Sequence, residues 1–507
     1  MNASTGTDLH STYCVEIDAG PVPGGSFDSK LLNLRPESIP VEIPRIDPVG
    51  HLVILTILLF GVGIPVTWGV MPTGAPIQMS STYSLNTGPE GFQMGKVDIN
   101  CTYYATFQSH NQKVVQNENG IFMTYLLDYE DEAPWPGRWC LLRSVDGGST
   151  FQAIYTSPKV GSKAACIETD DNNNILAVCG DETAYDQPFL FHRFLASKGY
   201  SDPEITRIRH SSSGKYSMMY DSGIVYLFNH YGKLLVINAT TGRLIFRKQV
   251  VEFSGENATT QYPHVYVGQD DVLHHAWTTS HKDIYLYWDI HYTNSPDGGK
   301  SWYRADQTRL TTPMKPDHSG KSDQVILPDE FEYHTWLSSM IVKAGKAHFA
   351  YLAQTPDVRQ HYVRIDLESG EIDHRIQPRW GGETISIRGL DGFFVTGPGS
   401  SPLFYAGPTN FTHIGVIASY DNGLTWHDIV VGPGVPDSIY SVGGFREITS
   451  DDHIIGSFTN QYGSRGDPYF FRVKVEELPA RGFLGVLLLA SALFLVGKKS
   501  GRTRLVV

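Results

Sequence analysis

The sequence predicts an all-β fold, on the evidence of its composition, its hydrophobic patterning and a repeated turn. The chain has 507 residues, with 50 glycines, 29 prolines and 27 tyrosines, and only 18% of its residues are charged. Turn formers and strand-favouring aromatic residues are therefore abundant. Because an apolar period of 3.6 residues is hard to find in the central region, we expect no long amphipathic helix there.

An eight-residue pattern, Ser-x-Asp-x-Gly-x-(Ser/Thr)-aromatic, occurs at residues 144–151, 295–302 and 419–426. The Asp side chain can accept hydrogen bonds from backbone N–H groups inside a tight turn, and the Gly supplies the positive φ that such a turn requires. The hydroxyl residue can add a second local bond, and the aromatic residue packs under the next strand. The pattern thus predicts structural hairpin turns. Its key residues are Asp146, Gly148, Asp297, Gly299, Asp421 and Gly423.

Three such turns resemble the Asp boxes of bacterial neuraminidase repeat (BNR) proteins, which are β-propellers and include the sialidases. The resemblance implies a sialidase-like propeller of six or seven blades, with the boxes on its rim. For propeller repeats of about 40 to 50 residues, each interval between boxes corresponds to about three blades. Some blades must then lack a box, and residues 234–245 and 363–372 are predicted to form hairpins of that kind.

Two apolar segments flank the repeats and predict transmembrane helices at residues 51–71 and 482–497. The first contains about 20 uncharged residues, enough to cross a bilayer, and the second is slightly shorter but has flanking cations that can snorkel. Lysine and arginine bias predicts cytosolic tails at 1–50 and 498–507 and an extracellular or lumenal propeller at 72–481. A cleaved leader is the alternative for the first segment.

The predicted location outside the cytosol bears on cysteines and glycosylation. Four cysteines fall in the propeller region, an even number that favours two disulfides, while four buried thiols are the alternative. They are Cys101, Cys140, Cys166 and Cys179. Short glycosylation motifs occur at Asn100, Asn238, Asn257 and Asn410.

The charge of the chain limits its partners. A formal net charge of −13 argues against nucleic-acid binding, whereas the basic C-terminal tail could contact the lipid bilayer. We expect no cofactor. Acidic runs at residues 128–132, 170–171 and 451–452 could hold Ca²⁺ but lack the spacing of a calcium loop, so solvated turns explain them better. The expected partners are cell-surface glycans or a protein ligand.

The resemblance implies sialidase chemistry. This chemistry needs three arginines that bind the sialic acid carboxylate, a tyrosine nucleophile activated by a glutamate, and an aspartate as the acid/base catalyst. The chain has no arginine at residues 72–137 and none between Arg388 and Arg446, so two of the three expected positions are empty. By resemblance, Tyr440 is the candidate nucleophile. Its candidate partners are Glu447, Arg446 and Arg388, and an ordinary buried tyrosine is the alternative.

Residues 262–299 also resemble a strand–strand–box blade of Asp-box hydrolases and lyases. In a lyase, His or Tyr could abstract a proton beside a uronate carboxylate while a cation neutralises the acid. His210 and His264 are the candidates, and structural histidines are the alternative. The sequence thus predicts a glycan-binding or glycan-processing propeller, either a sialidase-type glycoside hydrolase or a polysaccharide lyase. A non-enzymatic receptor, adhesion or attachment protein is the competing function.

Overall fold

Every residue described below belongs to the unit formed within residues 73–507. The computed structural model describes residues 86–87, 91–99, 101–107, 110–128, 137–158, 161, 163–180, 188–209, 215–253, 258–281, 286–315, 335–353, 359–376, 379–380, 383–384, 392–399 and 401–475.

The described residues form seven antiparallel blades, together with one small two-stranded ladder. Three short strands precede the blades: β1 (Asn86–Thr87), β2 (Phe92–Lys96) and β3 (Cys101–Thr102). Blade 1 contains β4 (Val114–Asn117), β5 (Gly120–Asp128), β6 (Gly137–Ser144) and β7 (Gln152–Thr156). Blade 2 contains β8 (Cys166–Thr169), β9 (Ile175–Gly180), β10 (Phe189–Phe194) and β11 (Glu204–Ile208). Blade 3 contains β12 (Tyr216–Asp221), β13 (Ile224–Asn229), β14 (Lys233–Asn238) and β15 (Leu244–Gln249).

The remaining blades follow in chain order. Blade 4 contains β16 (Ala258–Val267), β17 (Leu273–His281), β18 (Leu286–Ser295), β19 (Trp302–Tyr303) and β20 (Arg309–Leu310). Blade 5 contains β21 (Thr335–Lys343), β22 (Lys346–Ala353), β23 (Arg359–Asp366) and β24 (Ile372–Ile376), and the small ladder follows with β25 (Arg379–Trp380) and β26 (Glu383–Thr384). Blade 6 contains β27 (Phe393–Thr396), β28 (Leu403–Asn410), β29 (His413–Ser419) and β30 (His427–Val431). Blade 7 contains β31 (Ser438–Gly444), β32 (His453–Tyr462) and β33 (Arg465–Lys474).

The blades close into a ring around a central channel. The first strand of each blade contacts the first strand of the next, in the order β4, β8, β12, β16, β21, β27, β31 and back to β4. Blade 7 takes its fourth strand from the other end of the chain, because β2 pairs with β33. An ion pair of 2.7 Å between Lys96 Nζ and Asp467 Oδ2 joins the same two strands. The all-β propeller prediction is confirmed, with seven blades.

Neighbouring blades cover both faces of a blade near the ring, so many inner and middle strands are buried on both sides. In β32, for example, eight successive residues from His453 to Asn460 are buried. Hydrophobic clusters fill the space between blades, and one of them joins Leu337 and Phe349 of blade 5 to Tyr292 of blade 4 and Phe394 of blade 6. Such inter-blade packing holds the inner strands, and hence the channel lining, in place.

The Asp boxes connect the third and fourth strands of blades 1, 4 and 6. Asp146 Oδ1 accepts hydrogen bonds from Ser144 Oγ at 2.8 Å and from Thr150 N at 2.9 Å, and Oδ2 accepts one from Thr150 Oγ1 at 2.7 Å. The corresponding bonds form at Asp297 and Asp421. The second interval between boxes covers two blades, not the expected three, because residues 311–334 lengthen the connection between blades 4 and 5.

The glycine at the fifth position of each box lies against the preceding blade. A Cβ on Gly423, where φ is +91°, would overlap the Tyr362 hydroxyl of blade 5. Gly148 and Gly299 have the same relation to blades 7 and 3, respectively. The box therefore shapes its own turn and also sets how closely one blade approaches the blade before it.

The two hairpins predicted to lack a complete box occur in blades 3 and 5, and each has an abbreviated form of the same turn. Asn238 Oδ1 accepts a hydrogen bond from Thr241 N, and Asp366 Oδ1 accepts one from Glu368 N, each at 2.8 Å. Gly242 and Gly370 end these turns with positive φ values of 66° and 77°. Five of the seven blades thus share one side-chain-capped turn between their third and fourth strands.

The predicted fold class is wrong in one respect, the two flanking transmembrane helices. Among the described residues, no helix is long and apolar enough to cross a membrane, and none is an α-helix. Residues 51–71 and 482–497 lie outside the described residues. The predicted membrane localisation, with both termini cytosolic, is corrected by the same finding. An uncharged run of about 20 residues meets the length requirement for a spanning helix but does not by itself specify a helical backbone.

The predicted domain boundaries at residues 72 and 481, and the two tails beyond them, also lie outside the described residues and stay predictions.

The predicted disulfides are also corrected. Cys101, Cys140, Cys166 and Cys179 form no disulfide, and all four side chains are buried. Burial raises the pKa of the thiols of Cys101, Cys140 and Cys166, so these groups remain protonated at neutral pH. The alternative of four buried thiols is the correct one, because an even number of cysteines does not provide the Cβ geometry that a disulfide needs.

Candidate functional site

The central channel contains a group of buried polar side chains from three blades, His110, Lys215, Tyr262 and His264. His110 precedes β4, Lys215 precedes β12, and Tyr262 and His264 lie on β16. Because the inner strands surround the channel, residues far apart in sequence meet there. We call these four residues the channel cluster.

A bulge in β16 shapes this cluster. The register of β16 against β17 shifts between Gln261 and His264, and Tyr262 has a φ of +49°. Positive φ is uncommon for a bulky residue, and bulges and strained backbone of this kind concentrate at functional sites. His275 Nδ1 lies 2.8 Å from the His264 carbonyl oxygen and supports the strand after the bulge.

Lys215 supplies positive charge to the cluster. Its Nζ donates a hydrogen bond of 3.0 Å to Tyr262 Oη and lies 4.1 Å from the centroid of the same ring. Phe107 and Tyr287 surround the ammonium more loosely, with centroids 6.0 and 5.8 Å away. Because Tyr262 Oη accepts the hydrogen bond from Lys215, the hydroxyl proton of Tyr262 points away from the lysine. If Tyr262 gave up this proton, the adjacent ammonium would stabilise the resulting phenolate.

The two histidines of the cluster are neighbours, with ring centroids 5.8 Å apart. Burial, assisted by the charge of Arg446, lowers the pKa of His264 to about 3, and burial lowers the pKa of His110 well below its usual value. Both ring nitrogens of His110, and Nε2 of His264, have no hydrogen-bond partner among the described residues. Both imidazoles are therefore neutral near pH 7, and each has at least one ring nitrogen without a hydrogen-bond partner among the described residues.

Arg446 lies beside the cluster and makes contacts with three other blades. Its backbone N–H donates to Gln112 Oε1 at 3.1 Å, and its Nη1 donates to the Val265 carbonyl at 3.3 Å. The same Nη1 lies 3.7 Å from Glu168 Oε1, and Glu168 Oε2 accepts a hydrogen bond of 2.8 Å from Gln112 Nε2. Burial raises the pKa of Glu168 to about 8, although Arg446 acts in the opposite direction.

The structure places the catalytic candidates from the sequence in different positions. His264 and Arg446 come together, because Arg446 binds the carbonyl of the residue after His264. Glu447 follows Arg446 and is exposed. Tyr440 is half-buried in an aromatic group, with centroids 5.2 Å from Tyr104 and 6.5 Å from both Tyr103 and Phe107. Arg388 and His210 lie outside the described residues.

Sequence reasoning missed His110, Lys215, Gln112 and Glu168. One signal was present in the sequence, the polar run at residues 110–113 immediately before the strand β4. All four residues of that run are buried. A continuous polar run at the start of an inner strand of a propeller indicates a polar central channel. The burial of all four side chains agrees with this, because a polar run that faced solvent would be exposed.

The four predicted glycosylation positions are not tested by the structure. Asn100 and Asn257 lie outside the described residues, Asn410 ends β28, and Asn238 caps a turn, so glycosylation stays a prediction.

The acidic runs do not form a metal site in the described part of the chain. Among the described residues, no group of three or more His, Cys, Asp or Glu side chains could hold a metal ion. Asp170 instead closes a turn, with Oδ1 accepting hydrogen bonds from Asn172 N and Asn174 N.

Comparisons with known proteins agree with this architecture. Residues 231–375, from the second half of blade 3 to the last strand of blade 5, match the family described as "BNR repeat-containing family member". The fold is therefore a seven-bladed β-propeller that contains a region similar to BNR repeat proteins. No curated protein sequence matches the chain.

Several solved structures share the fold at low sequence identity. An ulvan lyase bound to the disaccharide repeat -[GlcA(1-4)Rha3S]- has 12% identity and a TM-score of 0.55, covering 74% of this chain and 94% of that chain. A second polysaccharide lyase has 11% identity and a TM-score of 0.53, covering 79% of this chain and 99% of that chain. A Trypanosoma rangeli sialidase bound to sialic acid reaches a TM-score of only 0.40, at 11% identity, over 86% of this chain and 64% of that chain.

Proposed function

We propose that this protein is a polysaccharide lyase that cleaves uronate-containing glycans by β-elimination. The observation that carries the proposal is the channel cluster, in which two neutral histidines lie beside a lysine-bound tyrosine. In β-elimination, a base removes the proton next to the uronate carboxylate, a cation neutralises that carboxylate, and an acid protonates the departing glycosidic oxygen. The products are a new reducing end and an unsaturated uronate.

The residues of the cluster suit these three tasks. His264, whose Nε2 has no hydrogen-bond partner in the described part of the chain, is the proposed base, and the neighbouring His110 can share the proton. Tyr262 is the proposed acid, because Lys215 binds its oxygen and stabilises the phenolate that remains. Arg446 and Lys215 are the cations that can face the uronate carboxylate.

The known ligand of a structural neighbour supports this substrate class, since one ulvan lyase of the same fold binds a repeat that contains glucuronate. The sialidase alternative has weaker support in the geometry. Its candidate nucleophile, Tyr440, lies within an aromatic group, and the two missing arginine positions leave sialic acid without its expected carboxylate grip.

The test is incubation of the full chain with a sulfated glucuronate–rhamnose polymer, a non-sulfated polyuronate and a fluorogenic sialoside. We expect an ultraviolet-absorbing unsaturated product from at least one uronate polymer and no release from the sialoside. His264→Gln and Tyr262→Phe should remove the activity, while His427→Gln, on the exposed side of an Asp box, should retain it. Binding of uronate polymers without any unsaturated product would contradict the lyase proposal.

A further inference from the structure

The Arg446 guanidinium and the Glu168 carboxyl group form a loose pair at the edge of the channel cluster. The distance of 3.7 Å between Arg446 Nη1 and Glu168 Oε1 is longer than the roughly 2.7 to 2.9 Å of a charge-assisted hydrogen bond. Glu168 Oε1 has no hydrogen-bond partner among the described residues, and its side chain is 11% exposed. The guanidinium is therefore held near Glu168 without being fully engaged by it.

The rest of the network fixes Glu168 more firmly than it fixes the guanidinium. Gln112 donates to Glu168 Oε2 through Nε2 and accepts from the Arg446 backbone through Oε1. These bonds set the position of the carboxyl group and of the Arg446 backbone. Within the described part of the chain, the guanidinium itself makes one hydrogen bond, to Val265 O at 3.3 Å, near the upper limit for such a bond.

We propose that Glu168 is a positioning residue that competes with an acidic glycan for Arg446. While Glu168 is protonated, the guanidinium is open to a uronate carboxylate in the channel. When Glu168 ionises, it attracts the guanidinium towards blade 2 and weakens the binding of the acidic glycan. The inference rests on the proposed function, because it concerns the carboxylate of the same substrate.

The surroundings of Glu168 place this change at mildly alkaline pH. Burial raises its pKa to about 8, Arg446 opposes this effect, and the negative charge of Glu447 reinforces it. The other groups near the pair are Gln112 and His110 from blade 1, Cys166 on the same strand, and His264 and Tyr266 from blade 4. The pKa of Cys166, about 11, and that of Tyr266, about 12, leave both neutral over the range in question.

The expected effect is a loss of affinity above neutral pH. If only the form with protonated Glu168 binds the acidic glycan, the apparent dissociation constant rises about tenfold from about pH 7 to about pH 9. The rise should appear in KM and leave kcat nearly unchanged. A neutral oligosaccharide of the same length should show no such rise, because it does not need the guanidinium charge.

The experiment is calorimetric titration of the full chain with a glucuronate oligosaccharide between about pH 6 and about pH 9. Glu168→Gln keeps the hydrogen bond from Gln112 and removes the ionisation, so its affinity should not depend on pH. Glu447→Gln is the matched control, since it removes a nearby carboxylate and keeps Glu168. It should keep the rise but move it to lower pH, because the charge of Glu447 no longer reinforces the raised pKa of Glu168.

Each outcome decides the matter. An unchanged pH dependence in Glu168→Gln, or equal pH dependence for the acidic and neutral oligosaccharides, would overturn the role of Glu168 while leaving the lyase proposal intact. The comparison of the two oligosaccharides needs only the wild-type chain, so it holds even if Glu168→Gln does not fold. Absence of glucuronate binding by the wild type at every pH would overturn the proposed function together with this inference.

Discussion

The Asp-box turns on the rim and the polar residues in the channel differ in how far apart in the sequence their hydrogen-bonded residues are. In the Asp146 box, the hydrogen-bond partners are two to four residues apart. In the channel, Gln112 bonds to Arg446 across 334 residues. The rim motif can therefore recur wherever eight suitable residues occur, whereas the channel exists only when all seven blades are closed.

The acidic residues of the two regions have opposite pKa shifts. At Asp146, partial burial would raise the pKa, but hydrogen bonds from Thr150 and Ser144 hold it below its usual value. At Glu168, burial dominates and the pKa rises to about 8. An acid on the rim thus serves as a permanent hydrogen-bond acceptor, while an acid in the channel can change its charge near physiological pH.

The largest expected effect comes from removing the base of the channel. His264→Gln should lower lyase turnover about 100- to 10,000-fold, the usual contribution of a general base. Unsaturated uronate is measured by ultraviolet absorbance, and circular dichroism checks that the fold is retained. His427→Gln on the rim is the control and should stay within about twofold of the wild type. An equal loss of lyase turnover in both variants would contradict the proposal that the channel cluster, and not the rim, carries out the reaction.

The second effect is acid destabilisation from buried histidines. Burial lowers the pKa of His264, His275 and His348 to about 3 and that of His192 to about 4. The unfolded chain binds these protons near pH 6.5, before the folded state does, so stability is complete above that pH and falls as the pH drops towards 3. Each histidine should contribute a slope of about 1.4 kcal/mol per pH unit in that window.

Urea unfolding between about pH 4 and about pH 8 measures this slope. Glu168 has the opposite sign, since its raised pKa makes stability fall as the pH rises from about 4.5 through 8. Replacing His348 by Gln should reduce the acid slope by about one proton, and Asp421→Asn on the rim should not reduce it. A wild-type slope near zero would mean that these histidines are already protonated in the folded protein.

The same difference explains what the sequence could predict. The Asp boxes and the hairpins at residues 234–245 and 363–372 depend on local turn chemistry, so their positions were predictable and with them the propeller. Sequence motifs single out His264 and Arg446, which do lie by the channel, but their proximity to His110 and Lys215 depends on which inner strands are neighbours. No local pattern encodes that arrangement.

The errors have the same origin. An uncharged run meets the length requirement of a membrane helix, and four cysteines permit two disulfides, but neither count contains three-dimensional information. In the structure, Cys101 and Cys140 pack in one cluster between blade 1 and blade 7, and Cys166 packs in another. Apolar burial accounts for these thiols without any bond between them.

The third effect tests the role of the box glycine in joining blades. Gly423→Ala should lower the free energy of unfolding by about 3 kcal/mol, because it combines a positive φ with overlap of the Tyr362 hydroxyl. Gly463→Ala is the matched control, since Gly463 also has a positive φ, of 55°, but a Cβ there meets no atom within 4 Å. Its expected cost is about 1 kcal/mol. Equal losses in thermal and urea unfolding would show that backbone conformation, rather than contact between blades, explains the glycine.

The smallest effect is expected at Tyr440. The resemblance to Asp-box proteins makes this residue a candidate nucleophile, whereas the proposed reaction in the channel cluster does not use it. Tyr440→Phe removes only the hydroxyl and keeps the ring against Tyr104 and Phe107. If the chemistry belongs to the channel cluster, kcat on uronate polymers should change by less than about twofold. If Tyr440 were a nucleophile, as in a sialidase, the same change would abolish turnover of the sialoside. The ratio of the two activities in this one variant therefore shows whether the Asp boxes indicate only the scaffold or also the reaction.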